Sequence, residues 1–183
     1  WSSDVCSSDP MSIWIVGIYN SLVSLRNRFK NAFAQIDVQL KRRYDLIPNL
    51  VETVKGYAAH EAETFENVTK ARTAAMGART PQEAGRAESL LTAALGQLFA
   101  IAEAYPQLRA VESFTQLQTE LSDTEDKIAA ARRYYNATVQ VYNTKQQTVP
   151  TSFIAGAFGH TPAPFYRVED DADREPVEVR FGS

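Results

Sequence analysis

Between Ile13 and Val149 only three prolines interrupt a chain in which apolar residues recur every three or four positions. Such spacing places the apolar side chains on one face of an α-helix and does not fit the two-residue alternation of a half-buried strand. We therefore predict an all-α protein, an antiparallel four-helix bundle with long helices and an irregular C-terminal tail. At 183 residues the chain is long enough to bury one sizeable core.

The first helix is expected to end at the cations Lys41-Arg42-Arg43, because positive charge is favoured at the C-terminal end of a helix dipole. Asp45 can cap a second helix that has Pro48 in its first turn, so we predict a break there. The alternative is one continuous helix kinked at Pro48. The second helix carries Tyr57 in register and is expected to end near Gly77.

The third helix has the clearest start signal in the chain, the sequence Thr80-Pro81-Gln82-Glu83. It offers a hydroxyl N-cap, a proline at the first helical position and a glutamate for the reciprocal cap. This helix is expected to stop at Tyr105-Pro106, because proline disfavours helical geometry in the residue before it. A fourth helix, from about Val111 to Gln147, repeats its apolar residues in heptads, which predicts a coiled-coil-like seam.

The N-terminal residues need separate treatment. Ser12–Tyr19 is strongly apolar, but a run of about eight residues is far shorter than the roughly 20 that cross a bilayer. It is either the start of a core helix or the cytoplasmic end of a membrane helix. The second alternative is supported by Arg26, Arg28 and Lys30, which follow the run as the positive-inside rule expects. The predicted divisions are a non-native or disordered leader (1–10), a membrane-helix remnant that continues into helix 1 (11–21), the helical bundle (22–148), and an irregular C-terminal segment with an acidic tail (149–183).

The chain has few residues in the patterns that usually act in catalysis or bind metal ions. His60 and His160 are the two histidines, and neither falls in a zinc-binding or di-metal helix motif. We find no glycine-rich phosphate loop and no nucleophile elbow, and a net charge of −3 gives no reason to expect nucleic acid. The sequence therefore predicts no enzyme, no metal site and no cofactor. The rival hypothesis is a carboxylate-based metal-binding or enzymatic bundle that uses Glu61, Glu63 and Glu125.

Two stripes of polar residues are candidates for a functional surface. On the first helix, small polar residues project opposite the core stripe, either as a solvated face or as a surface for self-association. On the fourth helix, polar residues recur beside the apolar seam, either to fix helix register or to form a groove that holds a partner peptide. The candidate partner-binding residues are Asn20, Asn27, Asn31, Gln118, Glu125, Arg132, Asn136 and Asn143.

The block from Leu22 to Glu61, together with Tyr105-Pro106 and the fourth-helix pattern, resembles the LemA family. That pattern comprises Phe114, Leu117-Gln118, Leu121, Thr124-Glu125, Ile128, Ala131-Arg132, Tyr135-Asn136 and Tyr142-Asn143. The resemblance implies a four-helix bundle, a single N-terminal transmembrane helix and a cytoplasmic helical domain. It also implies a membrane or envelope protein without a settled biochemical activity.

We accordingly expect a non-enzymatic interaction or scaffold module at the bacterial cell envelope. Its expected place is the inner membrane, crossed once, with the helical domain in the cytoplasm. The expected partners are other membrane or envelope proteins, a second copy of the chain, and the bilayer through the N-terminal helix. An anionic-lipid-binding domain is a further alternative, since Arg26, Arg28 and Lys30 could contact lipid headgroups.

Overall fold

The computed structural model describes residues 10–168, and within that range the chain forms six helices and no strand. The all-α prediction is confirmed. The predictions for the leader, apart from Pro10, and for the acidic tail lie outside the described residues. The helices are α1 (Pro10–Lys55), α2 (Ala62–Gly77), α3 (Pro81–Ala104), α4 (Pro106–Arg109), α5 (Glu112–Gln147) and α6 (Thr151–Ala157).

The predicted break at Pro48 is wrong, because α1 is continuous through it. Proline has no N–H, so the carbonyl of Tyr44, four residues earlier, loses its partner within the helix. The guanidinium of Arg72 on α2 replaces that partner, its Nε donating to the Tyr44 carbonyl at 2.7 Å. Arg43 is also not at a helix end, since it lies buried in the middle of α1.

The chain turns instead between α1 and α2, over residues 56–61. The N–H groups of Tyr57 and Ala58 both donate to the Val54 carbonyl, at 3.0 Å each, and this tightens the turn that ends α1. Tyr57, predicted to belong to the second helix and its core stripe, lies in this turn and is largely exposed. The second helix therefore begins at Ala62, well after the predicted Asp45 cap.

The third and fourth predicted helices agree with the structure. Thr80 caps α3, its hydroxyl accepting from the Glu83 N–H at 3.2 Å while the Glu83 carboxylate accepts from the Thr80 N–H at 3.3 Å. The helix ends at Ala104, just before Pro106. On α5 the heptad residues Phe114, Leu121, Ile128, Tyr135 and Tyr142 are buried, as the seam predicts.

The C-terminal segment is only partly irregular. Residues 151–157 form the short helix α6, where an irregular segment was predicted. Its formation is consistent with the two buried side chains that anchor it, Thr151 and Ala155. Residues 160–168, the C-terminal strap, have no regular secondary structure.

The described chain divides into two compact units. Unit 1 comprises residues 10–36 and 130–164, and unit 2 comprises residues 37–129 and 165–168. In unit 1, Phe29 of α1 packs against Tyr135 and Tyr142 of α5, with ring centroids 6.5 and 4.9 Å apart. In unit 2, α2 packs along α3. No helix within residues 10–168 combines the length and the apolarity that a bilayer span requires.

The strap is held by hydrogen bonds and by one close backbone approach. In unit 1 the Asn143 amide pairs with the Ala163 backbone in both directions, at 2.8 and 2.9 Å, and the Tyr135 hydroxyl donates to the Pro164 carbonyl at 2.8 Å. In unit 2, Gly85 of α3 lies directly against the Arg167 carbonyl, and a Cβ at this position would collide with it. Glycine is therefore required for the strap to lie on α3.

Candidate partner-binding site

An open groove runs along the exposed face of α1 in unit 1. Its volume is about 560 Å³. The residues that line it are Asn20, Val23, Ser24, Asn27, Arg28, Asn31, Ala32 and Gln35 of α1 and Tyr134 of α5. Because these α1 positions are three or four residues apart, they form one continuous stripe on the helix.

The stripe lies opposite the residues that α1 buries. Leu22 and Ile36 are fully buried, whereas Asn20, Asn27 and Asn31 are exposed. The small, buried Ala32 leaves space at the base of the groove, and the half-exposed ring of Tyr134 closes one side. The groove is therefore built by short side chains on a rigid helix.

The chemistry of the groove is that of neutral hydrogen-bonding groups. Asparagine and glutamine amides each supply donors and acceptors, and the Ser24 hydroxyl supplies both. Arg28 is the one charged residue in the lining, and the lining contains no carboxylate, histidine or cysteine. Such a surface can recognise polar or backbone groups.

Three of the candidate partner-binding residues, Asn20, Asn27 and Asn31, come together in this groove. Sequence reasoning did not place Gln35 in it, although extending the helical spacing by four residues from Asn31 would have found it. Tyr134 belongs to α5 and joins the groove only through tertiary packing, so no local signal identifies it.

The fourth-helix candidates contact different partners. Glu125 accepts a hydrogen bond from Arg43 within unit 2, and the Asn143 amide is hydrogen-bonded to the strap within unit 1. Gln118 lines a separate small cavity of about 90 Å³ with Phe99 and Arg109, among others. Arg132 and Asn136 are half-buried and also make interactions of their own. The structure thus brings the α1 candidates together, whereas the α5 candidates contact different partners.

A buried polar cluster in unit 2 was missed by the sequence analysis. The Arg43 guanidinium contacts the Glu88 carboxylate at 2.6 Å and the Thr92 hydroxyl and Glu125 carboxylate at 3.0 Å each. The Tyr44 hydroxyl donates to the other Glu88 oxygen at 2.5 Å. Arg43 could have been found from its spacing, because it lies three residues after Leu40 and four before Ile47, both core positions.

This cluster joins three helices by charge-assisted hydrogen bonds, which are the stronger kind in proteins. Arg43 and Glu88 side chains are each 5% exposed, whereas Glu125 is 46% exposed. Burial raises the pKa of the Tyr44 phenol well above its ordinary value, and the Glu88 carboxylate raises it further. The phenol therefore stays protonated and serves as a donor, so the cluster fixes the register of α1, α3 and α5 within unit 2.

The two histidines belong to different units, His60 to the turn after α1 in unit 2 and His160 to the start of the strap in unit 1. His160 Nδ1 is 3.0 Å from the Tyr142 hydroxyl. Burial lowers the pKa of His160, with a smaller contribution in the same direction from Arg26. Over residues 10–168, no group of three or more His, Cys, Asp or Glu side chains is arranged to hold a metal ion.

Comparison with known proteins identifies related chains. The chain is 26% identical to magnetosome protein MamQ 2 of Paramagnetospirillum magneticum over 85% of its own length and 66% of that protein. It is 28% identical to magnetosome protein MamQ of Magnetospirillum gryphiswaldense, over 82% of this chain and 63% of that protein. Protein LemA of Metamycoplasma hominis is 31% identical over 76% of this chain and 64% of its own length.

The chain thus spans slightly less than two thirds of each of these relatives. The family profile described as "LemA family" matches residues 32–181. That range includes Arg43, Glu88 and Glu125 of the buried polar cluster and begins just after Asn31 of the groove. Because the match covers most of the chain and agrees with the resemblance seen in α1 and α5, the chain belongs to the LemA family.

Proposed function

We propose that this chain is a non-enzymatic interaction module whose α1 groove binds a helix of a partner protein. The observation that carries the proposal is the groove itself, a stripe of exposed amides and one hydroxyl on a helix that also buries Leu22 and Ile36. Small-molecule sites are usually enclosed and mostly apolar, whereas this groove is open and polar. Short polar side chains allow two helices to approach closely and to exchange hydrogen bonds.

We also propose that this chain is not an enzyme. The groove lining contains no carboxylate or histidine that could act as a general base. The histidines lie in different units, and His160 is hydrogen-bonded to Tyr142. These placements support a binding role over the rival carboxylate-based enzyme. Glu61 and Glu63 are exposed beside the start of α2, and Glu125 belongs to the Arg43 cluster.

We further propose that unit 2 is an antiparallel four-helix bundle, the architecture that the sequence predicts for residues 22–148, here formed by residues 37–55 of α1 with α2, α3 and part of α5. Three sets of contacts support this arrangement. Arg43 of α1 reaches α3 and α5, Arg72 of α2 reaches Tyr44 of α1, and α2 packs along α3. A rigid bundle of this kind is suited to a scaffold role.

The proposed location is the bacterial inner membrane, with a single-pass anchor at the N-terminal end of α1 and the helical domain in the cytoplasm. Met11, Ile13, Trp14 and Val16 support it, because all are largely exposed to solvent on α1. The cations Arg26, Arg28 and Lys30 follow these residues, as on a cytoplasmic flank. The expected partners are therefore membrane or envelope proteins, including a second copy of this chain.

The groove is tested by site-specific photocrosslinking in the native host. A photoreactive benzoylphenylalanine is placed at Asn27 or Asn31, and the crosslinked peptides are identified by mass spectrometry. We expect both positions to give the same discrete adduct with one protein helix, from another protein or from a second copy. The matched control is Val38, which is also exposed on α1 but lies outside the groove.

Adducts of equal yield and composition at Val38 and Asn27 would contradict the proposal, because the groove would then have no partner of its own. Loss of the Asn27 adduct on substituting Asn31→Trp, with the fold unchanged by circular dichroism, would support the groove as the binding surface. Stoichiometric iron, manganese or zinc in the purified protein would favour the enzymatic rival.

A further inference from the structure

The exposed apolar side chains of unit 1 collect around α6 and the N-terminal end of α1. Phe153 is 74% exposed, Val149 is 74% exposed and Phe158 is 58% exposed. The ring of Tyr19 on α1 contacts that of Phe158, with centroids 4.8 Å apart, so the two segments share one surface. We call the residues Trp14, Tyr19, Val149, Phe153 and Phe158 the apolar patch. Exposed apolar side chains grouped in this way mark an interaction site.

The charge of unit 1 indicates what kind of surface binds the apolar patch. Its described residues, 10–36 and 130–164, contain six cationic side chains and no aspartate or glutamate, although the whole chain has a net charge of −3. The cations are Arg26, Arg28, Lys30, Arg132, Arg133 and Lys145. A unit with only positive charges is attracted to an anionic surface and repelled by a cationic one.

Two of these cations, Arg26 and Lys145, can be related to the apolar patch. Arg26 acts electrostatically on both Tyr142 and His160, and the His160 ring is 6.1 Å from that of Tyr19. Lys145 lies in the last turn of α5, shortly before α6. Exposed aromatic rings beside cations are the combination that binds the headgroup region of an anionic bilayer.

We propose that the apolar patch of unit 1 binds an anionic lipid surface, with Phe153 of α6 and Phe158, which follows α6, inserted at the boundary between headgroups and acyl chains. Arg26 and Lys145 contact the lipid phosphates. The helix α6 is then a second membrane contact, separate from the N-terminal anchor. This inference rests on the proposed membrane location and is independent of the partner groove.

The insertion of α6 is tested by tryptophan fluorescence. In a Trp1→Phe, Trp14→Phe background, the Phe153→Trp variant reports on α6 alone. Vesicles of phosphatidylglycerol and phosphatidylcholine should blue-shift its emission, and brominated acyl chains should quench it, whereas phosphatidylcholine vesicles alone should have little effect. The matched control is Leu90→Trp in the same background, because Leu90 is an exposed apolar residue of α3 in unit 2. Its emission should not change.

Vesicle co-sedimentation supplies a second measurement on the full chain. The Phe153→Glu variant should bind anionic vesicles about tenfold more weakly, because one exposed aromatic ring no longer enters the apolar layer. Lys145→Gln should weaken binding about fivefold at low salt and less at high salt. Leu90→Glu should bind like the parent chain.

The outcomes distinguish this inference from the proposed membrane location. If Trp14 in a Trp1→Phe chain is shifted by vesicles while the Phe153→Trp reporter is not, α6 does not bind lipid and the inference is overturned, although the membrane location stands. If neither reporter responds, both are overturned. If Phe153→Glu instead dissociates a dimer in sedimentation, without any lipid binding, a second copy covers the patch and the inference is overturned.

Discussion

Replacing Gly85 by alanine should destabilise the protein, whereas the same replacement at Gly96 on the same helix should stabilise it. At Gly85 the added Cβ would collide with the carbonyl oxygen of Arg167, which is backbone and cannot rotate away. The strap must therefore lift from α3. At Gly96 nothing lies within 4 Å of the added atom. The two substitutions are chemically identical, so their difference isolates the contact with the strap.

The expected magnitude is limited by what lifting the strap exposes. Tyr166, the neighbour of Arg167, is 1% exposed, and returning such a ring to water costs about 2 to 3 kcal/mol. Gly85→Ala should therefore lower the free energy of unfolding by about 2 kcal/mol. Gly96→Ala should raise it by about 0.5 to 1 kcal/mol, because alanine loses less backbone entropy in a helix.

Urea unfolding followed by circular dichroism measures both changes. Limited proteolysis should also cleave the strap of Gly85→Ala faster than that of Gly96→Ala, because a lifted strap is accessible. Stabilisation by Gly85→Ala, or shifts of the same sign and size at both glycines, would refute the contact between the strap and α3.

Two further predictions concern buried polar groups. Glu88→Leu should lower the free energy of unfolding by about 3 kcal/mol, the lower end for a broken buried pair, because Arg43 keeps Glu125 as a partner. Adding Arg43→Met should recover most of this loss, and in urea titrations no recovery would contradict the pairing. Burial raises the pKa of Tyr135 to about 12, so the folded state favours the neutral phenol. The stability that the buried neutral phenol of Tyr135 contributes is fully present below about pH 10 and is lost between about pH 10 and 12. Tyr135→Phe should unfold with a shallower pH dependence in that window, and an unchanged slope would contradict this cause.

The elements that sequence reasoning predicted well depend on local signals. The start of α3 was predictable because Thr80, Pro81 and Glu83 form a complete capping motif within four residues. The heptad spacing of α5 likewise predicted which side chains are buried, including Tyr135 and Tyr142. The polar stripe on α1 followed from the same helical periodicity.

The sequence-based predictions failed where a residue distant in the chain stabilises a conformation that the local sequence disfavours, or binds a polar side chain. Pro48 should end a helix by local rules, but Arg72, 28 residues after Tyr44, supplies the hydrogen bond that the proline removes. In the same way, Glu125 and Asn143 look like free polar residues beside the α5 seam, yet Arg43 and the strap engage them. Such partners are brought together only by folding, so spacing along one helix could not reveal them.

The partner-binding role of the groove is tested most directly by comparing its accessibility inside and outside the cell. In a Cys6→Ser background, Asn27→Cys and Val38→Cys are labelled with a membrane-permeable maleimide, in the native host and in the purified protein. Both positions are exposed on α1. We expect the Asn27→Cys variant to react several times more slowly in cells than in the purified protein, and the Val38→Cys variant to react equally in both. Equal protection of the two positions, or none at Asn27, would contradict a partner in the groove.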